Sequence, residues 1–182
     1  MPHSDAEGQR LGYEALLRYV GPNGVIGPDA FLPTAKRLGM MSRIDRWVVR
    51  NTLAWLSDRY RCKGSGAIDT WSVNLSGASL SDERFCEELL LWVEQASLPP
   101  GTICFEITES TAIAQLSTAT LLIRRLRQRG CRFALDDFGA GLSSFAYLRQ
   151  LQVEYLKIDG AFIKDIDTDP INRAMVEAIN TV

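Results

Sequence analysis

Two periodicities alternate along this chain. Short runs rich in β-branched and aromatic residues close on polar or acidic groups, and stretches with apolar residues three and four apart follow them. The runs are GYEALLR (12–18), with Glu14 early in an apolar stretch; DTWSVNLS (69–76), closing at Asn74; TICFEITES (102–110), closing at Glu106, Thr108 and Glu109; CRFALDD (131–137), closing at Asp136 and Asp137; and VEYLKID (153–159), closing at Lys157 and Asp159. These predict strands. Helices are predicted over 29–39 and 42–57, with Phe31, Leu32, Ala35, Leu38, Ile44, Trp47, Val48 and Leu53 at helical spacing. Further helices are predicted over 82–96, over 113–128 up to Gly130, and from about 170 onward.

Strands alternating with helices define an α/β fold with a parallel sheet. Asn74, Glu106, Asp136 and Lys157 follow one another at intervals of about 20 to 32 residues, the length of a βα unit. In a (β/α) barrel, groups at the C-terminal strand ends share one mouth. The expectation is therefore a partial TIM-type barrel of about five strands, its rim carrying carboxylates, an amide and a lysine.

Composition narrows the functions. Twenty Lys and Arg stand against 22 Asp and Glu, a formal charge of −2, which gives no general surface for nucleic acid. No apolar stretch approaches 18 residues and no signal-peptide pattern opens the chain, so no membrane association is expected for this segment. Cys62, Cys86, Cys104 and Cys131 form no CxxC pair, and His3 is the sole histidine. Zinc spacing is absent, and reduced thiols point to the cytoplasm.

The doubled aspartate invites two readings: a helix cap, or a cation site. An oxygen-rich rim suits hard divalent ions such as Mg²⁺ or Mn²⁺, and one carboxylate of the pair bridging two cations explains the doubling. Asp137-Phe138-Gly139 also occurs in protein kinases, but the glycine-rich loop and His-Arg-Asp loop they require are missing. GAGLSS (139–144) lacks the Gly-Lys ending of a phosphate loop, so a flexible loop is expected there. RRLRQR (124–129) reads as a solvated helix face, and the four tryptophans as packing. Glu14 is either a site residue or the partner of a structural ion pair with Arg18.

Glu14-Ala15-Leu16, followed by Leu17-Arg18, resembles the signature of EAL domains, the bacterial cyclic-di-GMP phosphodiesterases. NLS (74–76), EITE (106–109), DDFGAGLSS (136–144) and LKID (156–159) resemble further motifs of that family in its order, and PDAFLPTAKRLG (28–39) resembles its dinucleotide-holding segment. The resemblance implies metal binding by Glu14, Asn74, Glu106, Asp136 and Asp137, and a catalytic Lys157 acting with Glu14, Asp136 and Asp137. It also implies ligand contacts from Arg18, Leu16, Phe31 and Pro33, and bracing of the loop after the aspartates by Glu109. The implied reaction is in-line attack by water on one phosphodiester of cyclic di-GMP, with Mg²⁺ or Mn²⁺, giving pGpG. A non-catalytic cyclic-di-GMP receptor is the alternative.

Departures from the pattern are Ala140 and Leu142, where threonine and tyrosine are common, and the ends of the chain. Residues 11–182 read as an EAL domain incomplete at both ends, lacking the opening strand and the last two barrel strands with their glutamate motif. Residues 1–10 read as a flexible polar segment. From this the expectation is that the chain alone has little activity and associates through open sheet edges, with a homodimer and an adjoining sensory or GGDEF domain as partners the resemblance allows.

Overall fold

The computed structural model describes residues 12–22, 24–63, 69–139, 145–164 and 166–180. The expected flexible start and the expected flexible loop with Ala140 and Leu142 lie outside these. In chain order the elements are β1 (Gly12–Glu14), β2 (Tyr19–Gly21), β3 (Gly24–Ile26), α1 (Pro28–Arg37), α2 (Met41–Lys63), β4 (Thr70–Asn74), α3 (Gly77–Leu80), α4 (Glu83–Ala96), β5 (Ile103–Thr108), α5 (Glu109–Ala114), α6 (Leu116–Arg127), β6 (Arg132–Phe138), a 3₁₀ turn (Phe145–Tyr147), α7 (Leu148–Leu151), β7 (Tyr155–Ile158), α8 (Gly160–Lys164) and α9 (Pro170–Asn180). Strands β1, β4, β5, β6 and β7 form one five-stranded parallel sheet in that order, and β2 pairs with β3 in an antiparallel hairpin.

Register decides what each sheet face carries. Glu14 lies opposite Ser72, Asn74 opposite Glu106, Glu106 opposite Ala134, and Ala134 opposite Tyr155. Because side chains alternate with period two, Ser72, Cys104, Glu106, Ala134, Asp136, Tyr155 and Lys157 share one face with Glu14 and Asn74. The other face presents Val73, Ile103, Phe105, Ile107, Phe133 and Leu135, all at most 3% exposed. Onto this apolar face pack Val49, Leu53 and Leu56 of α2, Phe85, Leu89 and Leu90 of α4, and Leu122, Ile123 and Leu126 of α6. Each such side chain contributes about 1.5–3 kcal/mol by burial. The core thus lies between sheet and helices, and the opposite face is left polar.

Several local features differ from the periodic reading. The apolar stripe over 113–128 is two helices, because Gln115 leaves helical geometry (φ −130°) and its side-chain amide donates to the Gly77 carbonyl at 2.9 Å. Thr108 caps α5 by accepting the Thr111 N–H. Trp47 and Trp55 are 59% and 48% exposed, and Leu38 is also exposed. On α2 the expected Leu53 is buried, and Val49 and Leu56 meet the sheet beside it, so the buried stripe is rotated away from Trp47. Trp71 does pack as expected, stacking on Tyr13 with ring centroids 4.4 Å apart.

Candidate active site

Five strand-end residues meet at one end of the polar sheet face. Lys157 Nζ donates to Glu106 Oε2 at 2.8 Å and lies 3.5 Å from Asp136 Oδ1 and 3.9 Å from Glu14 Oε2. Asn74 Nδ2 donates to Glu14 Oε1 at 2.8 Å. One ammonium therefore sits among three carboxylates from β1, β5 and β6. Glu106 is buried (3% exposed), whereas Glu14 and Asn74 open to solvent. Burial alone would lower the lysine's pKa, but the Glu106 hydrogen bond and the charges of Glu106, Asp136 and Glu14 outweigh it and hold the pKa above its ordinary value. Lys157 stays charged at neutral pH. Glu14 is paired with Lys157, while the Arg18 guanidinium donates to the Leu17 carbonyl at 2.8 Å.

A strand cannot normally aim two consecutive side chains at one place. Here β6 carries a one-residue bulge between Leu135 and Phe138 against β7, and Asp137 adopts φ +53°. The bulge re-aims Asp137, which feels the charges of Asp136, Asp159 and Lys157. Gly139 follows with φ +95°, and a Cβ there would meet the Phe162 ring at 3.1 Å. The buried Glu109 carboxylate accepts the Gly139 N–H at 2.8 Å through Oε2 and the Tyr147 hydroxyl through Oε1.

Desolvation, then the charges of Asp136 and Asp159, raise the Asp137 pKa above its ordinary 3.8 against the opposing pull of Lys157. The folded state thus holds that proton more tightly than the unfolded chain. Stability from this group is highest below pH 3.8 and falls as pH rises through the window above it. Asp137→Asn removes that penalty, and Asn suits left-handed backbone. The variant should be more stable than the parent at pH 7 by a few tenths of a kcal/mol, Asp137 being exposed. Urea unfolding at pH 7 and pH 3.5 checks this, the difference shrinking at the lower pH.

The donor set consists of hard oxygens, which fits a divalent cation of the Mg²⁺ class. Among the described residues, no three His, Cys, Asp or Glu side chains already converge at ligand spacing. The carboxylates are gathered on Lys157 instead, and Asn74 offers its nitrogen to Glu14. A cation requires Glu106 and Asp136 to turn from the ammonium and the Asn74 amide to present its oxygen.

The expected ligand contacts lie after β1 and on α1. Leu16 is 56% exposed after β1. Phe31 and Pro33 lie on α1, the half-buried Phe31 ring facing Tyr19 at 6.3 Å and Pro33 lying exposed. Two supporting residues lie outside the predicted set. Asp45 on α2 is 5% exposed and accepts the Ser76 N–H at 2.8 Å and the Ser79 hydroxyl at 2.6 Å, fixing the turn behind Asn74. Its signal is an acid beside apolar helix positions in RIDRWVV. Tyr147 had none, since its partner Glu109 lies on another element.

A five-stranded parallel sheet with acids and a lysine at one end of its polar face is part of a TIM-type frame. The EAL domain family model matches residues 2–182, and the chain belongs to that family. It is 39% identical over 178 residues to the cyclic di-GMP phosphodiesterase PdeB of Shewanella oneidensis, covering 97% of this chain and 20% of that protein. It is 34% identical to the cyclic di-GMP phosphodiesterase PdeF of Escherichia coli, covering 92% of this chain and 22% of that one. The chain thus spans about a fifth of the length of these curated relatives.

Among solved structures, the FimX EAL domain from Pseudomonas aeruginosa bound to c-di-GMP superposes with a TM-score of 0.83 at 32% identity, covering 96% of this chain and 69% of that one. The PaMucR phosphodiesterase in complex with c-di-GMP gives 0.80 at 34% identity, over 91% and 67%. No helix among the described residues is long and apolar enough to cross a membrane.

Proposed function

We propose that, within a complete EAL barrel, this site hydrolyses one phosphodiester of cyclic di-GMP to linear pGpG. The observation that carries the reading is the convergence of Glu14, Asn74, Glu106, Asp136 and Lys157 through contacts of 2.8 to 3.9 Å. The names of PdeB and PdeF support it. Mg²⁺ or Mn²⁺, held by Glu14, Asn74, Glu106, Asp136 and Asp137, would supply Lewis acidity and a lowered pKa for water.

The chain's own groups do the rest. Lys157, cationic at neutral pH, offsets the charge that grows on the phosphoryl oxygens as the bond breaks. Asp136 and Asp137, both within the bulge, define where positive charge collects. Arg18, exposed beside β1, offers a planar donor for the second phosphate, and Leu16, Phe31 and Pro33 offer apolar surface for a guanine. Glu109 keeps the backbone after the aspartates in place. The four free thiols suit a reducing cytoplasm.

Incubating a purified protein that carries this chain within a complete EAL barrel with cyclic di-GMP and Mn²⁺ or Mg²⁺, and separating products by chromatography, tests the reading. Accumulation of pGpG that stops on chelation is the expected result. Tight binding of cyclic di-GMP with no pGpG under any metal would replace it with the receptor reading.

A further inference from the structure

The Glu109 carboxylate is 4% exposed and has two oxygens to satisfy. One accepts the Gly139 N–H, and the other accepts the Tyr147 hydroxyl. Gly139 closes a segment with two left-handed residues in three, Asp137 and Gly139, which persists only where its surroundings fix it. On the β7 side, that fixing comes from the Asp159 N–H, which donates to the Phe138 carbonyl at 3.1 Å. On the β5 side it comes from Glu109. A carboxylate that loses the donor on one oxygen while buried will rotate to regain one, and its hold on Gly139 goes with it.

We infer that Tyr147 is a positioning residue for the aspartate pair: its hydroxyl locks the Glu109 rotamer that holds Gly139, and through Gly139 the bulge that aims Asp136 and Asp137. The inference rests on the reading of that pair as the cation-gathering end of a phosphodiesterase site. The phenol suits the task. Tyr147 is 8% exposed, so its ring is held by the core. Burial and the Glu109 bond raise its pKa above the ordinary value, so it remains a donor throughout the working pH range. Its hydroxyl bonds to Glu109, so its influence on Asp136 and Asp137 runs through Glu109 and the backbone.

Tyr147→Phe keeps the ring and removes only the donor. The Gly139 amide of this variant should exchange with solvent at least tenfold faster by NMR, with exchange in the middle of β5 unchanged. Glu109→Ala should give the same increase, and the double variant no more than either single one, because both act through one link. For hydrolysis, kcat should fall about 10- to 100-fold with KM for cyclic di-GMP within threefold. Unchanged Gly139 exchange in Tyr147→Phe overturns the link, as does an additive double variant. Faster exchange with kcat unaltered overturns its bearing on the aspartates. Should wild-type protein show no hydrolysis, the phosphodiesterase reading fails while the exchange result still decides the Tyr147–Glu109–Gly139 link. If Tyr147→Phe does not fold, Glu109→Gln is the second variant: its amide can still donate to the Tyr147 oxygen and accept from Gly139, so near-normal Gly139 exchange is expected and a tenfold rise overturns the link.

Discussion

Asp136→Asn is expected to lower cyclic di-GMP hydrolysis by about 10³-fold or more while leaving the fold within about 1 kcal/mol of the parent. The amide has the shape of the carboxylate, so the β6 bulge and its pairing with β7 persist. What disappears is negative charge at the point where β5, β6 and β7 bring their functional groups together. Asp136 lies 3.5 Å from Lys157 with a quarter of its side chain exposed, so the lost ion pair is weak and screened. Removing it also relieves the like-charge repulsion that adds to desolvation in raising the Asp137 pKa. Pre-steady-state measurement of pGpG formation with saturating Mn²⁺ decides the matter, and a variant within tenfold of the parent would remove Asp136 from the chemistry. Direct titration of Mn²⁺ should show weakened binding in parallel.

Lys157→Met should have the opposite character, with a large effect on stability as well as on rate. The ammonium neutralises Glu106, whose side chain is 4% exposed, and is shared with Asp136 and Glu14. Methionine fills the volume but leaves three acids facing one another. Breaking a fully buried pair costs about 3–5 kcal/mol. Lys157 is itself partly exposed, so about 2–3 kcal/mol is expected here. Divalent cations should then stabilise the variant more than the parent, because nothing already occupies the centre of the acids. Urea unfolding with and without Mn²⁺ measures both quantities. Equal stability of variant and parent would mean that the Lys157 contacts carry no net stabilisation.

Much of this was legible in the chain because strand ends leave a local signature. In CRFALDD a run of buried residues passes abruptly to charge, and the same change occurs at Glu106 in ICFEIT and at Lys157 in EYLKID. Period two then places Glu106, Asp136 and Lys157 on one face. The bulge escaped, since it depends on pairing between β6 and β7 and on a backbone angle that no side chain announces. The hairpin of β2 and β3 did leave a signal, the turn-forming Gly-Pro-Asn-Gly stretch at 21–24, but the segments are only three residues each. On α2, apolar positions cover more than one stripe, so periodicity found Leu53 but could not tell Val49 and Leu56 from Trp47. Asp45 and Tyr147 act on partners distant in sequence, and their roles follow only from the folded contacts.

The division between a greasy and a polar sheet face has a consequence for how this chain tolerates change. Phe105 and Glu106, or Leu135 and Asp136, are neighbours on one strand yet answer to different demands. A saturation library over β5 and β6, scored separately for abundance and for turnover, should separate into two interleaved combs. Odd-numbered positions such as Phe105, Phe133 and Leu135 should govern how much protein accumulates. Even-numbered ones such as Glu106 and Asp136 should govern what that protein can do. Such a strand lets new chemistry be sampled at every second residue while its alternate residues keep the sheet attached to its helices.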